Sequence, residues 1–311
     1  MSTQPSHRAG TQLAIVDAHH HLWDLASGHY PWLQDAYHGP AFFLGEYEKL
    51  RRDYLADDYQ RDTYPYRVVA SVHIEAERSR MQQVDETRWL HEVHERSGTP
   101  SVVVPHVSFV QPDRDEVLAA HMAWPRVRGI RSKPVTARSP QERVTGQAGT
   151  MQDPRWLDGL AALERYDLSW DLRVPFWHLA QAAEVAAAFP RIRMALNHTG
   201  LPLDRSEAGL AEWRRGLEAL AANPNVYVKL SEFGLAGGRW DADSNRRVIR
   251  DAVAIFGPER AMFASNLPVS SLSASFPAIV EAVLEALADY DDAAIARIFA
   301  HNAIAFYRIG D

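Results

Sequence analysis

Three consecutive histidines follow directly on an apolar run, Ile15-Val16-Asp17-Ala18-His19-His20-His21. If the run is a strand, side chains two apart share a face, so Asp17, His19 and His21 point the same way. Two imidazoles at that spacing can converge on one metal ion or on one developing oxyanion. Another apolar run ends in Asn197-His198-Thr199-Gly200, the next-best place for an imidazole with work to do. Arg131 and Lys133 share a parity in Arg128-Gly129-Ile130-Arg131-Ser132-Lys133. Two cations so placed would attract a carboxylate or stabilise a forming oxyanion, unless rim salt bridges absorb them. Asp171 and Arg173 are in register in the same way, and Asn266 arrives as the run Met262-Phe263-Ala264-Ser265 stops. The lone His73 and His106 are more often structural than ligating. With no cysteine in the chain, thiolate ligands, disulfides and cysteine nucleophiles are excluded.

These residues need elements that gather them. Strand-like runs occur at Leu13–Ala18, Arg67–Glu75, Ser101–Phe109, Val127–Lys133, Leu168–Val174, Ile192–His198, Val226–Ser231 and Ala261–Ser265. Between them lie segments of helical period, such as Leu210, Trp213, Leu217 and Leu220. Strands alternating with helices imply parallel pairing, since each crossover helix covers a sheet face. A closed eight-stranded barrel and an open doubly wound sheet both satisfy this. No Gly-x-Gly-x-x-Gly follows the first strand, which argues against the dinucleotide-binding open sheet. The expected fold is therefore an α/β (β/α)8 barrel, which presents function at the carboxyl ends of its strands.

Residues 22–66 form an insertion rich in aromatics, including Trp23, Tyr30, Trp32, Tyr37, Phe42 and Phe43. It either folds over the mouth as a pocket wall or packs on the rim. Residues 1–12 are polar and read as a disordered tail ahead of one barrel over 13–311. The chain of 311 residues carries a net charge of −7 with both signs interleaved. It has no basic footprint for nucleic acid and no apolar run of membrane-spanning length. A cytoplasmic protein acting on a small molecule is expected, with a homo-oligomer left open.

Asp17-Ala18-His19-His20-His21-Leu22-Trp23-Asp24, Asn197-His198-Thr199-Gly200 and Ser265-Asn266-Leu267-Pro268 resemble the amidohydrolase superfamily. The similarity is closest to its lactonase-like branch, which includes the sugar-lactone and pyrone-dicarboxylate lactonases. It covers about Ile15 to Tyr307, and Phe299-Ala300-His301-Asn302-Ala303 resembles that family's final helix. The resemblance implies a TIM barrel of the metallo-dependent-hydrolase type acting on a carbonyl centre. It implies a divalent metal, zinc or manganese, held by His19, His21 and His198, and sometimes dispensable in the lactonase branch. No organic cofactor is implied.

The family's last-strand aspartate, which takes the proton from water, is matched here by Asn266. A neutral amide cannot act as a general base. Three routes remain: another group as base (His198, His19 or Asp171), a metal-activated water, or loss of hydrolysis. The expected activity is hydrolysis of a lactone carrying a carboxylate or several hydroxyls. His198, Asn266 and Asp171 would do the chemistry, and Arg131, Lys133, Arg173 and Trp23 would bind substrate. A metal-dependent decarboxylase or hydratase, and a non-catalytic binding protein, are the alternatives.

Overall fold

The computed structural model describes residues 12–39 and 42–310; the tail expected at the amino end, apart from Gln12, lies outside them. Each expected run contains or overlaps a strand: β1 Ala14–His20, β2 Arg67–Ile74, β3 Val102–Val104, β4 Gly129–Ile130, β5 Ser169–Leu172, β6 Met194–Leu196, β7 Val226–Leu230 and β8 Ala261–Phe263. All pair in parallel with their sequence neighbours, in one ladder from β1 to β3 and another from β4 to β8. A parallel bridge between Val103 and Val127 joins the two ladders. The ring closes where Asn266 N–H donates to the His19 carbonyl and His21 N–H to that of Leu267, both at 2.7 Å. Apart from β1, which extends past its run to His20, the strands are shorter than their apolar runs.

At least one helix follows each strand, the principal ones being α1 Ala56–Thr63, α2 Gln83–Ser97, α3 Arg114–Met122, α4 Pro154–Ala161, α5 Leu179–Ala188, α6 Glu207–Ala221, α7 Ala242–Phe256 and α8 Phe276–Ala286. Side-chain caps start several of them. Asp153, Ser206, Asp241 and Ser275 each accept from a backbone N–H of the first turn, satisfying donors that the helix itself leaves free. In α6 the buried stripe includes Leu210, Trp213, Leu217 and Leu220, the period that the sequence shows. Among the described residues no helix is long and apolar enough to cross a membrane.

Inside the barrel, Val16, Ala18, Val72, Ile74, Val102, Val104, Ala195, Met262 and Ala264 pack with Ala300, Ala303, Phe306 and Tyr307 of the final helical segment. That segment bonds to residues just ahead of β5 and β6, through Arg308 to Asp167 and Arg193 to Phe306. It therefore plugs the amino end of the barrel and leaves the carboxyl end for a site. Asp171 belongs to this interior, which corrects its expected catalytic place. Its carboxylate pairs with Lys229 and accepts from Tyr307 Oη at 2.9 Å and Asn197 Nδ2 at 2.9 Å. Both partners of the ion pair are wholly buried. A carboxylate so occupied serves structure.

Period two also fails in β1. Its register against β2 shifts between Ile15 and Val16 and again between Asp17 and His20. Asp17 therefore does not share the face of His19 and His21. It accepts from Ser265 Oγ at 2.6 Å and from Tyr59 Oη at 2.9 Å, between β1, β8 and α1. His20 bonds Ser71 Oγ at 3.0 Å and stacks on Tyr59 at 4.2 Å. Of the triplet, His21 lines the mouth, with His19 Nε2 3.3 Å from its Nε2.

Candidate active site

A cavity of about 350 Å³ opens at the carboxyl ends of the strands, lined by His21, Arg131, Lys133, Arg173, His198 and Asn266, with Trp32, Phe42, Phe43 and Tyr47 as its wall. At its floor, His21 Nδ1 stands 2.7 Å from the carbonyl oxygen of Ile74. A carbonyl only accepts, so Nδ1 carries the proton. Burial, with Arg131 and His73 nearby, holds this imidazole well below its ordinary pKa, which leaves Nε2 a bare lone pair. That lone pair lies 3.3 Å from His19 Nε2 and 3.1 Å from Asn266 Oδ1. The Asn266 amide is oriented from behind, where its Nδ2 donates to Glu232. Acceptors therefore meet at one point, a place for a group with hydrogens to give or for a cation.

The distance between the two Nε2 atoms is close to the roughly 3.3–3.4 Å expected of imidazoles sharing a tetrahedral zinc. The carbonyl bond at His21 Nδ1 is the outer support that ligating histidines usually have. His19 and His21 thus fit a divalent ion. Among the described residues no three His, Cys, Asp or Glu side chains are already gathered as a metal cage, although the His198 ring stands 4.6 Å from that of His19. Both of these donors are neutral imidazoles, and the nearest carboxylate described at the floor, Glu232, stands behind the Asn266 amide.

His198 follows β6, with its ring 4.6 Å from that of His19. Its Nδ1 is 3.0 Å from Ser231 Oγ, which leaves Nε2 for the pocket. Burial, and then Arg173 and Arg131, keep this imidazole well below its usual pKa. It is neutral and able to accept a proton.

The cations divide. Arg131 donates from Nε to Glu75 Oε1 at 2.7 Å and from Nη2 to the Glu75 carbonyl at 2.6 Å. Burial opposes the charge on Glu75, yet Arg131 and Lys133 hold it far below the usual carboxylate range. Lys133 pairs with Glu77, and burial brings its amine down to about 8. Arg131 and Lys133 are therefore engaged in rim ion pairs. Arg173 makes no ion pair with any described residue, and its guanidinium lies 5.7 Å from the Phe43 ring centre. Burial and Arg131 lower its pKa to about 10, so it stays charged at neutral pH, open toward the cavity.

The insertion supplies the aromatic wall, though not through Trp23. That indole is 1% exposed, donates to the Arg52 carbonyl at 2.6 Å and meets Trp32 edge-on at 5.4 Å. An antiparallel bridge between Trp23 and Tyr54 turns it inward. Trp32 takes the pocket position instead, anchored by its N–H on the Ala76 carbonyl at 2.9 Å.

Sequence reasoning passed over Glu232. A carboxylate just past the apolar run of β7 occupies the same place as His198 after β6 and Asn266 after β8, and that parallel was the available signal. His198, Glu232 and Asn266 have φ of 58°, 55° and 56°. Three neighbouring strands thus end in a left-handed residue that carries a polar side chain.

Residues 16–309 match the amidohydrolase family profile. An uncharacterized protein of Sinorhizobium fredii is 33% identical over 96% of this chain and 100% of its own length. An L-fucono-1,5-lactonase of Burkholderia ambifaria is 28% identical over 94% of this chain and 95% of its own. The crystal structure of an amidohydrolase from Burkholderia multivorans, solved with bound HEPES and separately with bound zinc, superposes with a TM-score of 0.76 at 25% identity, covering 95% of this chain and 99% of that one.

Proposed function

The chain belongs to the amidohydrolase family, and from that premise we propose that it is a hydrolase that opens a lactone ring. The observation that carries this reading is the meeting of bare lone pairs on His21 Nε2 and Asn266 Oδ1 at the floor of a cavity that also holds His198 and a free guanidinium. Similarity to L-fucono-1,5-lactonases supports the same ester chemistry.

Water donates one hydrogen to these floor acceptors and the other to His198, and so presents an oxygen lone pair to the ring carbonyl above. As the carbon–oxygen bond forms, the carbonyl electrons move onto oxygen, and Arg173 stabilises the oxyanion or an anionic substituent beside it. His198 takes the water's proton and returns it to the ring oxygen as the ester bond breaks, giving a hydroxy acid. His198 is neutral before the attack, so it has a lone pair to receive the proton, and the imidazolium so formed gives it up readily. Asn266 positions the water without accepting its proton. A zinc or manganese ion bound at His19 and His21 would add Lewis acidity at the same floor.

The substrate is a small lactone that carries a carboxylate or several hydroxyls. Arg173 calls for a negative or strongly accepting group, and Phe43 with Trp32 offers flat apolar surface to a ring face. The test is a panel of neutral and carboxylated sugar lactones, followed by a pH indicator as acid is released. At least one should turn over, and His198→Ala should lower kcat by about 10²- to 10⁴-fold. Binding without turnover of any lactone would return the chain to the non-catalytic alternative.

A further inference from the structure

Asn266 stands where the resemblance expects the proton-accepting aspartate, and its amide N–H donates to Glu232 at the tip of the neighbouring strand. Three observations single out this carboxylate. Glu232 is 3% exposed yet makes no ion pair with any described residue, an expensive way to keep a carboxylate that only holds structure. Its backbone sits at φ 55°, a left-handed conformation that a long side chain adopts only at a cost. And its partner Asn266 faces the histidine floor with the opposite end of the same amide.

We infer that Glu232 is a positioning residue of the site, and that Glu232 and Asn266 act as one acid–amide unit whose carboxylate stands at the end of β7 and whose amide stands at the end of β8. The inference rests on the reading of the floor as the place of the attacking water. An amide has two distinguishable ends. With a carboxylate behind it, only the Nδ2 end can turn back, so Oδ1 must face His21 and receive the water's hydrogen. Without that carboxylate, the amide can rotate to offer N–H to the floor, where it would bind the His21 lone pair and displace the water. Burial raises the Glu232 carboxyl to about 7 while the Asn266 amide opposes this.

A swap across the hydrogen bond tests this. Glu232→Gln leaves two amides that can face either way, and Asn266→Asp presses two carboxylates together. Each should lower kcat about 10- to 100-fold with KM for L-fucono-1,5-lactone, or the best lactone of the panel, changed less than about threefold. The double variant Glu232→Gln/Asn266→Asp restores one acid and one amide in reversed positions. It should regain at least tenfold in kcat over the worse single variant.

Urea denaturation of the same four proteins reads the pair without any substrate. The double variant should be more stable than the two single losses added together predict. Recovery of stability with no recovery of kcat would reduce Glu232 to a structural role and overturn the inference. Additive losses in stability would show that the two side chains are not a unit. If the unsubstituted protein opens no lactone, the lactonase reading fails while the denaturation cycle still decides on the pair.

Discussion

Arg173 gives the most direct residue-scale prediction, because it is the mouth's cation without a carboxylate partner among the described residues. Arg173→Ala should raise KM for a carboxylated lactone about 10- to 100-fold and leave KM for a neutral lactone within a few-fold, both from steady-state rates. Equal losses on both substrates would instead assign the guanidinium to the forming oxyanion, and no loss would remove it from binding. The sequence shows Arg131 and Lys133 as a pair of cations that either face the mouth or form rim salt bridges, and Arg173 in register with Asp171. It could not show that Glu75 and Glu77, from the turn after β2, engage the first two. Residue types are legible in a chain; their pairings across strands are not. Glu232 was hidden for the same reason, since its meaning lies in its contact with a residue 34 positions away.

At the scale of elements, the β/α alternation was legible because each strand is a short apolar run and each helix has a periodic stripe. The exact face of a residue near a strand end was not. Register shifts in β1 separated Asp17 from His19 and His21, and a bridge to Tyr54 turned Trp23 inward while Trp32 took the wall. The insertion therefore has two aromatic layers with different jobs. Trp23→Ala removes a buried indole and should cost about 3–5 kcal/mol of stability. Trp32→Ala should mainly raise KM, with a much smaller loss of stability. Urea midpoints and steady-state kinetics on the two variants check this, and a KM effect confined to Trp23→Ala would reverse the assignment of layers.

For the molecule as a whole, buried imidazoles dominate the response to acid. Burial depresses His19, His20, His21 and His198 well below their ordinary value, and His73 and His106 to about 3 and 4. Below about pH 6.5 the unfolded chain binds protons at these sites that the folded protein refuses, so their contribution to stability is lost as pH falls. Asp17, Glu86 and Glu232 are raised to about 6, 8 and 7 and act in the opposite sense, but they are outnumbered. The urea midpoint should drop from pH 7.5 to pH 5; a constant or rising midpoint would mean that these imidazoles charge freely and that the floor is open to water. The closure of the ring has a further consequence for how such a chain is made. Ser265 N–H reaches Asp17 Oδ1 across a sequence separation of 248 residues, so β1 waits for β8 to be made before its second edge is covered. A nascent chain stalled ahead of β8 would carry two open strand edges at once, so synthesis rate and chaperone supply, more than the strength of the finished barrel, would govern its yield.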